Sequence, residues 1–250
     1  MFSKVFCLFF TLIALVGCEK KAQQPETHKP LIVIISPDNP PFEFKDTAQG
    51  GDKVIGFDVD VIHELGKQLG RPIHILEMDF QGIIPALQSG RGDMAISGIS
   101  PTEERRKSID FSDPYHTDKK ALLVLQDSTL TSEKELSGKK LGVQLGSAHE
   151  VLAKKWAAST PDLSIISLNK GGELVQELKN GRIQAILVED TVAYKVAQST
   201  PGFKVILLDI PGGDSAIAFP KGSALVAPTN KALKEIKAEI EHLESKWFSK

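Results

Sequence analysis

Cysteine is almost absent from this chain. Its two cysteines, Cys7 and Cys18, both fall at the extreme N-terminus of 250 residues. Beyond them there is no thiol, which excludes a disulfide framework, a thiolate metal cluster and a cysteine nucleophile from the folded part. Histidine carries no metal signature either. The six histidines stand at 28, 63, 74, 116, 149 and 242, with no H-x-x-x-H pair and no cysteine beside them, whereas zinc sites need such closely spaced ligands. A basic excess is also lacking. Thirty Lys and Arg against 32 Asp and Glu leave a net charge of -2, which offers no footprint for nucleic acid. No apolar run approaches the ~20 residues that cross a bilayer. What is present, 41% hydrophobic and 25% charged residues, is the balance of a globular chain with one large domain or two small ones.

A largely apolar stretch, residues 5–16, follows Lys4, the one charge in the first 17 residues. Its length and positive start read as a secretory signal over residues 1–17. It closes on "LVGC" (15–18), which resembles the bacterial lipobox. That resemblance implies that Cys18 is lipidated and becomes the new N-terminus; a plain signal peptide with an incidental cysteine is the alternative. Residues 18–30 are polar, with Lys, Gln, Glu and two prolines, a composition suited to a flexible tether.

From Leu31 the pattern changes. "LIVIIS" (31–36) predicts a buried strand. Residues 57–69 carry apolar positions at 61, 62, 65 and 69 and end before Gly70 and Pro72, which predicts a helix. "IHIL" (73–76), a helix over 83–88 and "DMAIS" (93–97) continue an alternation of strand and helix, the mark of a largely parallel sheet covered by helices. "KALLVLQ" (120–126) is a further strand, and the alternation then restarts: strands at 140–144, 163–168, 184–188 and 204–208, helices at 148–158, 172–179 and 190–198. The two halves share an element order without a sequence repeat. "SAIAF" (215–219) predicts a strand. Leu233, Ile236, Ile240, Leu243 and Trp247 predict one continuous C-terminal helix packed on a lobe.

Several segments align together: "PPFEF" (40–44), "GFDVDV" (56–61), "FQGIIPALQSGRGDMAISGISPTEERRKSIDFSDPY" (80–115) and "KWF" (246–248). In this order they resemble the bacterial extracellular solute-binding proteins of family 3, the polar amino-acid receptors of ABC importers. The resemblance spans essentially everything from Leu31 to Phe248. It implies an α/β fold of the type II periplasmic-binding-protein class: two lobes, each a mixed sheet flanked by helices, joined by two crossing strands. Lobe 1 would hold residues 30–118 and 213–250, and lobe 2 residues 119–212. The ligand would lie in the cleft between them.

The same resemblance implies the site. A free amino acid carries a carboxylate and an ammonium, and a pocket must pair both because an unpaired buried charge is costly. Arg105 matches the family's carboxylate-binding arginine, whose planar fork suits two carboxylate oxygens. Ser100 matches a second donor. Ser147 and Ala148 open a helix whose first N–H groups would close on the carboxylate from the other lobe. Ser97, Gly98 and Glu189 match acceptors for the ammonium. Phe80 matches the aromatic over the aliphatic part, and Gln144 and Val188 shape the side-chain pocket. The chain also departs from the pattern. Asn39 replaces a second aromatic, Ser36 stands where relatives have an aspartate, with Asp38 two residues on, and Ala148 lacks a hydroxyl. Asp38, Glu43 and Glu189 favour a cationic side chain such as arginine or lysine, unless Asp38 and Glu43 face solvent; glutamine stays open. "SPTEER" (100–105) also reads as a plain helix start capped by Thr102.

The implied function is extracytoplasmic capture of a polar amino acid by a lipid-anchored monomer. The cargo would pass to an ABC permease in the inner membrane by lobe closure, with no cofactor, no metal and no catalysis. The alternative on this fold is a cyclohexadienyl-dehydratase-like enzyme, with Glu189 and His149 as the candidate acid pair. "GDSA" (213–216) lacks companions for a hydrolase, and "RGD" (91–93) fits a turn between helix and strand.

Overall fold

The structure is a computed structural model and describes residues 29–46 and 51–248. The signal, Cys18 and most of the tether lie outside the described residues. The chain begins with β1 (Leu31–Ile35), then a small meander of β2 (Asp38–Asn39), β3 (Glu43–Asp46) and β4 (Lys53–Ile55). There follow α1 (Phe57–Gln68), β5 (Ile73–Glu77), α2 (Ile83–Gln88), β6 (Met94–Ala95), α3 (Glu103–Arg106) and β7 (Ile109–Asp118). A second series is β8 (Lys120–Leu125), β9 (Lys140–Gln144), α4 (Ala148–Ala157), β10 (Ser164–Leu168), α5 (Gly171–Lys179), β11 (Ala185–Glu189), α6 (Asp190–Ser199) and β12 (Phe203–Leu207). The chain ends with β13 (Gly213–Pro220), α7 (Val226–Glu235) and α8 (Lys237–Phe248).

Two five-stranded sheets result, in the orders β5-β1-β6-β13-β7 and β10-β9-β11-β8-β12. In each, three neighbouring strands pair in parallel, and one strand, β13 or β8, runs the other way between the third of them and a last strand. Both are covered on both faces. Val33 and Ile35 pack with Phe57, Ile62 and Leu65 on one side of the first sheet, while Ile34 packs with Ile83 and Leu87 on the other. In the second sheet, Leu122 and Val124 face one core and Ala121 and Leu123 the opposite one. Burial on both faces is why these strands read as continuous apolar runs. Each large apolar side chain so buried contributes roughly 1.5–3 kcal/mol.

Three motifs far apart in sequence meet in the first lobe. The rings of Phe42, Phe57 and Phe248 lie 4.6–6.0 Å apart by centroid. Trp247 Nε1 and Lys246 Nζ both donate to Asp60 Oδ2, at 2.8 and 2.7 Å. So "PPFEF", "GFDVDV" and "KWF" form one cluster that pins α8 on α1. Gly56 must be glycine here: its φ is +134°, and a Cβ would sit 2.2 Å from the Phe42 carbonyl oxygen.

The chain passes between sheets at 118–120 and again at 208–213. Gly213 pairs with Asp118, and a Cβ on Gly212 would meet the Asp118 carbonyl oxygen at 2.3 Å. The crossings therefore touch backbone to backbone. Three sequence expectations differ from what is found. The C-terminal helix is two helices broken at Ile236, whose backbone (φ −97°, ψ 15°) leaves the helical range. The strand expected over 93–97 is reduced to Met94–Ala95, because the chain turns at once into the cleft loop. The long strand β7 and the β2–β4 meander were not expected at all.

Candidate functional site

A cavity of about 260 Å³ lies between the two lobes. From the first lobe it is lined by Asp38 and Asn39 at β2, Phe80 before α2, Ser97, Gly98 and Ser100 after β6, and Arg105 in α3. From the second come Gln144 at the end of β9, Ser147 and Ala148 at the start of α4, and Val188 and Glu189 at the end of β11. The lining thus comes from strand ends and helix starts, where side chains project beyond the sheets.

Arg105 occupies the centre of the polar end. Its backbone is held by a cap: the Thr102 hydroxyl accepts its N–H at 3.3 Å. The helix start of "SPTEER" thus carries a side chain that lines the cavity. The side chain is 9% exposed. Nη1 donates to the Ser100 carbonyl at 2.8 Å, and Nη2 crosses the cleft to the Gly146 carbonyl at 3.0 Å. The guanidinium lies 5.6 Å from the centroid of the Phe80 ring. Burial lowers its pKa to about 10, with the Glu189 charge acting the other way, so it is a cation at neutral pH. Among the described residues no carboxylate lies within 4 Å of it. Its direct partners are two neutral carbonyls, and the Glu189 charge acts on it only from beyond 4 Å.

The α4 terminus faces this cation's surroundings. The Ser147 hydroxyl accepts the Glu150 N–H at 3.1 Å, and the Ser147 N–H donates to the Gln144 carbonyl at 3.2 Å. Glu150 reaches back to the Gly146 N–H at 2.7 Å. Ser147 is thus the helix cap, and the N–H groups of Ala148 and His149 are the first-turn donors left without an intrahelical partner. This moves the expected donor pair by one residue. His149 also lines the cavity, with Nδ1 3.6 Å from Glu189 Oε1. The charges of Arg105 and Lys120 also act on Glu189.

At the other end stands Asp38. Its Oδ1 accepts from the Ser36 hydroxyl at 2.9 Å, and its Oδ2 from Gln144 Nε2 and the Gly171 N–H, both at 3.2 Å. Burial raises its pKa, against the lowering effect of Ser36, Gly171 and Lys170. Ser36 itself is 1% exposed and does not line the cavity; it supports Asp38 from behind. Ser97 lines the cleft, but its hydroxyl turns inward, accepting the Ser36 N–H at 2.8 Å. Glu43, expected either in the pocket or in solvent, is in neither place: it is 1% exposed inside the first lobe.

The lobes also touch directly at the rim. Lys170 Nζ lies 2.5 Å from Asp79, and Gln81 Nε2 donates to Asn169 at 3.0 Å. With the Arg105–Gly146 and Gln144–Asp38 bonds, these contacts describe a closed cleft. Sequence reasoning missed Gly171 and Gly172 at the start of α5, although a glycine pair before a helix is a visible sign of close approach. It also missed the apolar back wall of Leu123, Leu174, Val192 and Val196, which reads in sequence as ordinary core. Among the described residues, no group of three His, Cys, Asp or Glu could hold a metal ion, and no helix is long and apolar enough to cross a membrane.

Comparison with known proteins identifies the family. The chain is 38% identical over 252 residues to the arginine-binding extracellular protein ArtP of Bacillus subtilis, covering 97% of this chain and 94% of that one. It superposes on an ancestral arginine-binding protein bound to arginine with a TM-score of 0.83 at 38% identity, over 89% of this chain and all of the other. An ancestral arginine-binding protein bound to glutamine matches with a TM-score of 0.81 at 39% identity, over 88% and 98%. Residues 31–250 match the family model of the bacterial extracellular solute-binding proteins, family 3. The chain belongs to the bacterial extracellular solute-binding proteins of family 3.

Proposed function

We propose that this protein captures a cationic amino acid, arginine foremost, outside the cytoplasm and presents it to an ABC permease. The observation that carries the reading is Arg105: a buried guanidinium in the cleft, hydrogen-bonded to one carbonyl from each lobe and lacking an ion pair. A buried charge of this kind is stable only if an anion completes it, and a ligand carboxylate between Arg105 and the Ala148 and His149 N–H groups does so. Asp38 at the opposite end supports a cationic side chain. Because the contacts come from both lobes, ligand favours the closed state over the open one, and that difference drives closure. Attachment through a lipid on Cys18, and action as a monomer, complete the proposal.

A thermal-shift screen of the twenty amino acids tests it, since a ligand that binds only the folded state raises the melting temperature. Arginine, then lysine, should give the largest shifts; glutamine marks a site tuned to neutral amides, and no shift from any amino acid refutes the reading. The role is binding without turnover. The His149–Glu189 pair is the feature that favours the dehydratase alternative, and consumption of prephenate or arogenate by the purified protein would establish it.

A further inference from the structure

Two carboxyls in the first lobe have no part in the site described above. Glu43 on β3 is 1% exposed and Asp58 on α1 is fully buried. They are close neighbours whose charges act on each other, and the Ser97 hydroxyl lies near Glu43. Tyr115 on β7 directs its hydroxyl at Asp58, 2.9 and 3.0 Å from the two oxygens. Among the described residues Glu43 Oε2 has no partner, and no cation lies within 4 Å of either carboxyl. Two neighbouring carboxylates in such a place cannot both ionise. Burial first, then the Asp58 charge, pushes Glu43 well above the usual range. Asp58 is raised by burial to about 6, held down by the Gly98 N–H, Glu43, Tyr115 and the His116 charge. Asp58 accepts from the Tyr115 hydroxyl and the Gly98 N–H while Glu43 Oε2 has no donor, so the geometry places the pair's negative charge on Asp58 and its proton on Glu43.

That charge connects to the cleft through a single peptide. Asp58 Oδ2 accepts the Gly98 N–H at 2.9 Å. Gly98 lines the cavity and has a φ of +53°, so its backbone is set in the region that glycine adopts freely. In a trans peptide the carbonyl opposes the N–H; with the Gly98 N–H directed inward to Asp58, the Ser97 carbonyl is directed the other way. Glu189, meanwhile, lies near the charges of Arg105 and Lys120. Given the amino-acid-binding role proposed above, we propose that Asp58, sharing one proton with Glu43, is a positioning residue for the ligand's ammonium group: it orients the Ser97–Gly98 peptide and supplies the buried negative charge behind it.

The test is calorimetric titration of the wild type, Asp58→Asn and Glu43→Gln with L-arginine and with 5-guanidinopentanoic acid, which is arginine without its α-amine. Asp58→Asn should weaken arginine at least tenfold and the desamino compound less than threefold, so that the wild-type preference for the amine collapses. Glu43→Gln should stay within threefold of wild type for both, because the carboxyl it replaces is already neutral. Tyr115→Phe serves as the milder variant if Asp58→Asn does not fold. Losing one donor raises the Asp58 pKa, so the acid midpoint of arginine affinity should move to higher pH than in wild type. The other titrating groups near the pair, Asp38 on β2 and His116 on β7, are unchanged in that comparison. Equal loss of both ligands in Asp58→Asn, or an unmoved midpoint in Tyr115→Phe, overturns the inference while leaving the binding role intact. Failure of wild type to bind any amino acid overturns both.

Discussion

Replacing Arg105 tests the site most economically. Its two nitrogens bridge the Ser100 and Gly146 carbonyls across the cleft, and its charge has no ion pair until a ligand carboxylate arrives. Arg105→Ala leaves that carboxylate buried against helix N–H groups alone. Breaking one side of a buried, hydrogen-bonded charge pair costs about 3–5 kcal/mol, or roughly two to three and a half decades in Kd. Arg105→Lys keeps the charge but not the fork, and one ammonium cannot reach both carbonyls and a carboxylate in the same plane; its loss should be intermediate, about one to two decades. Both are read by isothermal titration with arginine. Agmatine, which lacks the carboxylate, supplies the control: its weak binding should be nearly the same in all three proteins. If Arg105→Ala binds arginine as wild type does, or if agmatine loses as much as arginine, the guanidinium is not the carboxylate anchor.

Asp38→Asn should lower arginine affinity about tenfold, a change of about 1.4 kcal/mol, while glutamine stays within threefold in the same titrations; equal losses would mean that Asp38 only braces β2 against α5. Asp79→Asn removes the rim ion pair with Lys170, which is about half exposed, and should speed arginine release only two- to fivefold, as exposed pairs contribute about 0.2–1 kcal/mol; stopped-flow fluorescence measures the rate. His116 gives a pH signature. Burial lowers its pKa, but Asp118 and Glu244 outweigh burial and raise it to about 9. Against 6.5 in the unfolded chain, its contribution is complete below pH 6.5 and is lost as pH rises toward 9, amounting to at most about 3 kcal/mol. Urea midpoints at pH 6 and 9 should differ less in His116→Gln than in wild type; an identical difference in both would remove His116 from the account.

The alternation of strand and helix was legible because both sheets are buried on both faces, so their central strands are short unbroken apolar runs. β7 was not. Its sequence "IDFSDPYHTD" mixes charge, proline and aromatics, which an edge strand tolerates, and it lies at the edge beside β13, with register shifts around Ser215 and Ala216. The break at Ile236 was hidden because the apolar stripe continues across it with unchanged spacing. The site was legible mainly as motifs: of the residues named for it, Ser36 stands behind the cavity and Glu43 is buried away from it, while the others line it. The roles were less visible. Ser147 caps its own helix and Glu189 lies near the charges of Arg105 and Lys120, and the latter depends on neighbours distant in sequence. Glu43 read as either a pocket or a solvent residue because a glutamate is seldom fully buried without a partner, and its neighbour Asp58 lies on a different element.

The most direct measurement is a crystal structure of the protein with bound L-arginine. The account predicts its carboxylate within hydrogen-bonding distance of Arg105 and of the Ala148 and His149 N–H groups, its ammonium beside Ser97 and Gly98, and its guanidinium directed toward Asp38. An empty cleft under saturating arginine, or a bound ligand with Arg105 turned away into solvent, would contradict it.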